Sequence, residues 1–253
     1  MSQQAHSADP PDLSRLVTED DTPVDNLFSE KQARLLADVL YATYRGPAGD
    51  GRFLAASDVG VFAKPENPAI VPDFFVAVDV TPPEELFEKR HRSYFLWEYG
   101  KPPEVVVEIV SNREGGELST KVRSYERLRV SFYVVFDPEG HLSRSELTVF
   151  QIVGDALTET ESHSLGRLGL SVTIWEGEYE AHRGRWLRFS DAHGTLLPTG
   201  LELAAAERQR ADGERQRADG ERQRADGERD RADGERERAE RLLDKLRAAG
   251  LEE

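Results

Sequence analysis

Apolar positions recur along the chain with two periods. In EKQARLLADVLYATY, which follows Ser29, residues Leu35, Leu36, Val39 and Leu40 fall at helical spacing. Ser29 with Gln32 reads as a capping box at the start of this helix, and Gly46 marks its end. Three extended segments follow, Arg52–Ala63, Pro72–Val80 and Glu104–Val110. The stretch EELFEKRHRSYFLWEYGKPP, rich in aromatics and bases, reads as an excursion from the core between the last two. After a Gly115-Gly116 turn, ELSTKVRSYERLR is again helical in pattern, and SFYVVFDP supplies the strand Ser131–Phe136. Strand, helix, strand is a crossover, so these two strands should run parallel. Residues 145–190 read as short strands and turns. The order predicts an α/β sandwich with a mixed sheet flanked by helices.

Near Gly200 the pattern changes. ERQRADG recurs with a seven-residue period, leaving Ala211, Ala218, Ala225, Ala232 and Ala239 as its apolar positions. Glu207 with Arg210 and Asp212 with Arg215 favour a helix at i,i+3 spacing. Gly213, Gly220, Gly227 and Gly234 oppose it, at about 1 kcal/mol each. The expectation is a long, solvated, marginal helix. RLLDKLRAAGLEE then puts Leu242, Leu243 and Leu246 on one face, with Gly250 as a stop. The tail therefore reads as a solvated spacer with a weak self-association tip, which allows a homodimer through the C-terminal helix; a specific partner-binding arm is the alternative. Residues 1–25 are polar and acidic and read as disordered. The expected organisation is therefore 1–25 disordered, 26–200 a folded domain and 201–253 a charged helical tail.

Composition narrows the chemistry. The 253 residues contain no Cys, which removes disulfides, thiolate metal sites and thiol nucleophiles. No apolar run is long enough to span a bilayer and no signal peptide is legible, so a cytoplasmic protein without membrane contact is expected. Net charge is −15, which repels polyanions, so any nucleic-acid function needs a local basic groove or bound cations. The six His residues lack metal-ligand spacing, and neither a nucleophile elbow nor a phosphate-binding loop occurs.

The acids in the strands are the candidate chemistry. By strand alternation Asp73 shares a face with Phe75, Ala77 and Asp79, and Glu108 shares one with Glu104, Val106 and Val110. If the strands are neighbours, both acids enter one pocket, where they repel unless a cation intervenes. Mg²⁺ or Mn²⁺ with oxygen ligands resolves that conflict. Lys121 opens the following helix, with Tyr125 on the same face, and can orient a water near such a site. Ser111 and Asn112, past the strand end, can donate to a phosphate, and Arg113, Arg123, Arg127 and Arg129 are the nearest bases. A plain Glu108–Lys121 ion pair is the competing reading. Glu30 is likewise explained by the helix dipole alone.

VPDFF at 71–75, EVVVEIVSNREGGELSTKVRSYERL at 104–128 and FYVVFDP at 132–138 together resemble the Uma-two restriction-endonuclease family of the PD-(D/E)XK nuclease superfamily. The likeness runs from about Val24 to Gly200. It implies a restriction-endonuclease-like core and Mg²⁺- or Mn²⁺-dependent cleavage of DNA. Asp73 and Glu108 take the places of the superfamily's two acids. The lysine normally two residues after the second acid is Val110 here, so the resemblance implies its displacement to Lys121. Glu30 takes the place of the first-helix acid that often completes the metal site, and Asp58 is a weaker candidate. A nuclease fold that no longer cuts, acting through its tail as a binding or assembly module, is the alternative.

Overall fold

The computed structural model describes residues 26–112, 116–142 and 145–248. In chain order the elements are α1 (Leu27–Thr43), β1 (Phe53–Ala56), β2 (Val61–Phe62), β3 (Phe74–Val78), β4 (Tyr94–Phe95), α2 (Leu96–Tyr99), β5 (Val105–Ile109), α3 (Thr120–Leu128), β6 (Phe132–Phe136), β7 (Leu147–Val153), β8 (Ala156–Thr160), β9 (Leu170–Tyr179), β10 (His182–Asp191) and α4 (Gly200–Ala248). The expectations for residues 1–25, for the Gly115 turn position and for Gly250 fall outside the described residues. The chain separates into two compact units, 1–200 and 201–253.

A mixed six-stranded sheet, ordered β1-β3-β5-β6-β7-β8, organises the first unit. β5 and β6 are parallel, joined by the crossover through α3, while the other neighbours are antiparallel. β5 is central and buried on both faces, which is why Val105, Val106 and Val107 run apolar without alternation. On one face Phe74, Val76, Val105 and Val107 pack with Leu35, Leu36 and Val39 of α1 and with Trp186, Leu187 and Phe189 of β10. On the other, Phe75, Ala77, Val106 and Val110 pack with Tyr125 and Leu128 of α3. Helices therefore cover opposite sides of the sheet, as an α/β arrangement requires. This is a restriction-endonuclease-like architecture.

The structure redraws four local expectations. Asn26, not Ser29, caps α1: its side chain accepts the Ser29 N–H at 2.9 Å. Gln32 is no cap either. It is buried and bridges α1 to β10, donating to the Leu187 carbonyl at 2.8 Å and accepting the Leu187 N–H at 2.9 Å. The segment Arg52–Ala63 is two strands, because the intervening turn holds Asp58 at φ 54°. Residues 145–190 are also longer in structure than their pattern suggested, ending in a hairpin of two ten-residue strands, β9 and β10. Its tip, Glu180-Ala181, has positive φ at both residues, as a two-residue turn that follows the strand twist demands. Glu180 is held by Lys31 at 2.6 Å and Arg34 at 3.4 Å.

The second unit is α4, 49 residues of continuous helix with no buried residue. Its side chains are solvated throughout, as one small apolar position per heptad dictates. Among the described residues no helix is long and apolar enough to cross a membrane.

Candidate active site

The candidate site lies where β3 enters and β5 leaves the sheet. Their antiparallel register pairs Phe74 with Val107 and Phe75 with Val106, so one further step sets Asp73 opposite Glu108. Side chains directly opposite on one face come within about 5.5 Å at Cβ. Asp73 Oδ2 accepts the Ile109 N–H at 2.5 Å, so its carboxylate extends the ladder at the point where β3 begins. Glu108 is 1% exposed, on the sheet face that α3 covers. Lys121 and Tyr125 stand four apart on α3, hence on one face of it. Lys121 Nζ donates to Glu108 Oε2 at 2.8 Å, and the Tyr125 hydroxyl donates to Oε1. Lys121 thus reaches Glu108 from the helix that follows the strand.

A second acid shares Lys121. Glu117 Oε1 lies 3.2 Å from Nζ, and the residue is buried. Its Oε2 is buried with no hydrogen-bond partner among the described residues. The Tyr133 hydroxyl from β6 donates to the Glu117 carbonyl at 2.9 Å and fixes the approach to α3. Asp58 adds its charge to the field at Asp73.

Burial and crowding set the protonation states. Desolvation, then the Glu108 charge, push Asp73 up to about 8, against the lowering influence of Ile109 N–H and Lys121. Desolvation also raises Glu108, although Lys121 and Tyr125 counter it in part. Desolvation alone would lower Lys121, but the charges of Glu108 and Glu117 outweigh it and hold Lys121 as an ammonium. Tyr125 is raised by burial and by Glu108, so it remains a hydrogen-bond donor.

The other candidates fall in several places. Glu30 is a correction: it pairs with Arg34 at 2.6 Å on α1. α1 packs against the sheet face opposite to the one that Glu108 shares with α3, so Glu30 is not brought to Asp73 and Glu108. Ser111 and Asn112 follow the end of β5 by two and three residues. Arg123 is exposed and two residues from Lys121, about 200° around the helix by its period, so it does not join the acids. Arg127 is exposed beside Ser124, and Arg129 pairs with Asp155 at 2.7 Å, beyond the last turn of α3. Arg113 lies outside the described residues. Sequence reasoning missed Glu117, whose i,i+4 spacing to Lys121 was the available signal, and Tyr133, which left none.

The donor set can be tested against a divalent cation. Among the described residues no group of three or more His, Cys, Asp or Glu is placed to share an ion. Mg²⁺, however, keeps several waters and binds through one or two carboxylates plus substrate phosphate. Asp73 and Glu108 supply that number of hard oxygen donors. Burial raises Asp73 first and the Glu108 charge second, and a cation between the two acids would offset both. The residues fit such an ion.

No curated protein matches the chain. The family model Uma2, described as "Putative restriction endonuclease", matches residues 20–173, a span that contains Asp58, Asp73, Glu108, Glu117, Lys121 and Tyr125. With most of the chain covered, from before α1 into β9, the protein belongs to the Uma2 (Uma-two) restriction-endonuclease family.

Proposed function

We propose that this protein is a metal-dependent endonuclease that hydrolyses phosphodiester bonds of DNA. The observation that carries the reading is the facing pair of half-buried Asp73 and buried Glu108, with the Lys121 ammonium at 2.8 Å from Glu108. Asp73 and Glu108 would hold Mg²⁺ or Mn²⁺. When bound, such a cation polarises a phosphoryl oxygen and lowers the pKa of water. Held protonated, Lys121 donates rather than accepts: it orients the attacking water and offsets negative charge developing on the phosphate. Tyr125 fixes the Glu108 carboxylate, and Ser111 and Asn112, just past the end of β5, would donate to phosphate oxygens. Net charge of −15 makes the cation matter twice, since it also carries the attraction for a polyanion.

The second reading, a nuclease fold that does not cut and acts through its tail, draws on one fact. Lys121 and Tyr125 already engage both Glu108 oxygens. Incubating supercoiled plasmid with purified protein and Mn²⁺, beside Asp73→Ala, separates the two. Cleavage by the wild type alone is expected; equal nicking by both, or by neither, removes the enzymatic reading.

A further inference from the structure

The apolar tip of α4 stands uncovered, with Leu242, Leu243 and Leu246 exposed by 57%, 46% and 44%. These leucines keep the frame of the heptads before them. Leu246 continues the row Ala211, Ala218, Ala225, Ala232, Ala239. Leu242 and Leu243 take the two places, three and four residues after Ala239, that each earlier heptad gives to a glutamate and an arginine. On the helical wheel those two places flank the alanine row, one on each side. One flank is therefore Glu207, Glu214, Glu221, Glu228 and Glu235; the other is Arg208, Arg215, Arg222, Arg229 and Arg236.

We infer that α4 pairs with α4 of a second copy of this chain as a parallel, in-register coiled coil closed by the leucine tip. Charge decides the direction. A two-fold axis along a parallel pair sets the glutamate flank of each helix against the arginine flank of the other. An antiparallel pair sets glutamate against glutamate and arginine against arginine. In register, Leu242, Leu243 and Leu246 also meet their own copies and bury the exposed apolar surface. The period agrees with a partner. A strict seven-residue row drifts by about 20° per heptad around a lone straight helix and is brought into line by a left-handed supercoil. Gly213, Gly220, Gly227 and Gly234 stand two residues after the alanines, on the far side of the wheel, and do not enter the seam.

The test reads mass and cross-linking of the full chain, so it fails or holds independently of the catalytic reading. Light scattering on the wild type should give twice the 28.4 kDa of one chain at tens of micromolar. Leu242→Glu with Leu246→Glu should weaken the dimer by at least about tenfold, with unchanged unfolding of the sheet domain. Because the chain has no native Cys, single cysteines report direction. Ala211→Cys and Ala239→Cys should each form disulfide-linked homodimers on oxidation. A monomeric wild type, a dimer indifferent to the leucine changes, or cross-links only in a mixture of the two cysteine variants would overturn the proposal.

Discussion

β5 carries a buried acid at each end, and their surroundings differ. Before its first residue, Glu104 is 4% exposed and accepts the Val78 N–H at 2.9 Å. It pairs with Lys101 and with Arg167, the latter at 2.5 Å, and Arg167 also holds Asp79 at 2.6 Å. Two acids there meet two bases, and Arg167 holds the Asp79 carboxyl below the usual range. At the other end Glu108 and Glu117 share Lys121, the one base paired with them among the described residues, while burial and the facing Glu108 push Asp73 up to about 8. Burial of an acid is thus not itself a sign of chemistry. Among the described residues, an excess of carboxylate over base sets the second cluster apart from the first, whose acids are matched by their own cations.

Three measurements can break or sharpen this contrast. The largest effect belongs to cleavage. Lys121→Met should lower plasmid nicking about 100-fold or more, whereas Lys101→Met should change it by less than about threefold. Comparable losses in both, measured on folded protein, would erase the distinction.

Stability should respond with opposite signs. The folded-state value of Asp73, about 8, lies above the unfolded value of about 3.8. The folded protein holds that proton more tightly, so this group's contribution falls as pH rises from about 4 to about 8. Without divalent ions, Asp73→Asn should gain stability over wild type by about 2 to 5 kcal/mol between pH 5 and pH 8, read from urea unfolding. Glu104→Gln should instead lose about 1 to 3 kcal/mol at pH 7, because two cations keep their places without their acid. Smallest is the response to metal. At ten times its dissociation constant, Mn²⁺ should add about 1.4 kcal/mol, or some 3 to 6 °C in Tm, to the wild type at pH 8 and nothing to Asp73→Asn.

Much of this site could be read from local pattern. The crossover β5–α3–β6, the strand faces of Asp73 and Glu108 and the shared face of Lys121 and Tyr125 follow from periods of two and 3.6 residues, while the register that opposes the two acids comes from the pairing of β3 with β5. Other features depend on distant partners. Glu30 satisfied a motif position, yet the face on which α1 packs is decided by contacts with Trp186 and Leu187, over a hundred residues later. Gln32 looked like a cap because its bond to Leu187 leaves no trace in nearby sequence. Ser29 stood in for Asn26 because several residues near a helix start can serve as caps, and backbone geometry chooses among them. Tyr133 bonds to a carbonyl, which any residue at 117 would provide.

The bridge from Gln32 to Leu187 also bears on where this protein can be cut. The family match stops at residue 173, inside β9 and short of β10. Tyr179, Trp186, Leu187, Phe189 and Leu197 lie beyond it, yet they seal Leu35, Leu36 and Val39 from water. A chain ended at 173 would retain Asp73, Glu108, Glu117 and Lys121 and lose the β10 side chains that pack with α1 over one face of the sheet. The span that the family model matches is shorter than the span that packs together.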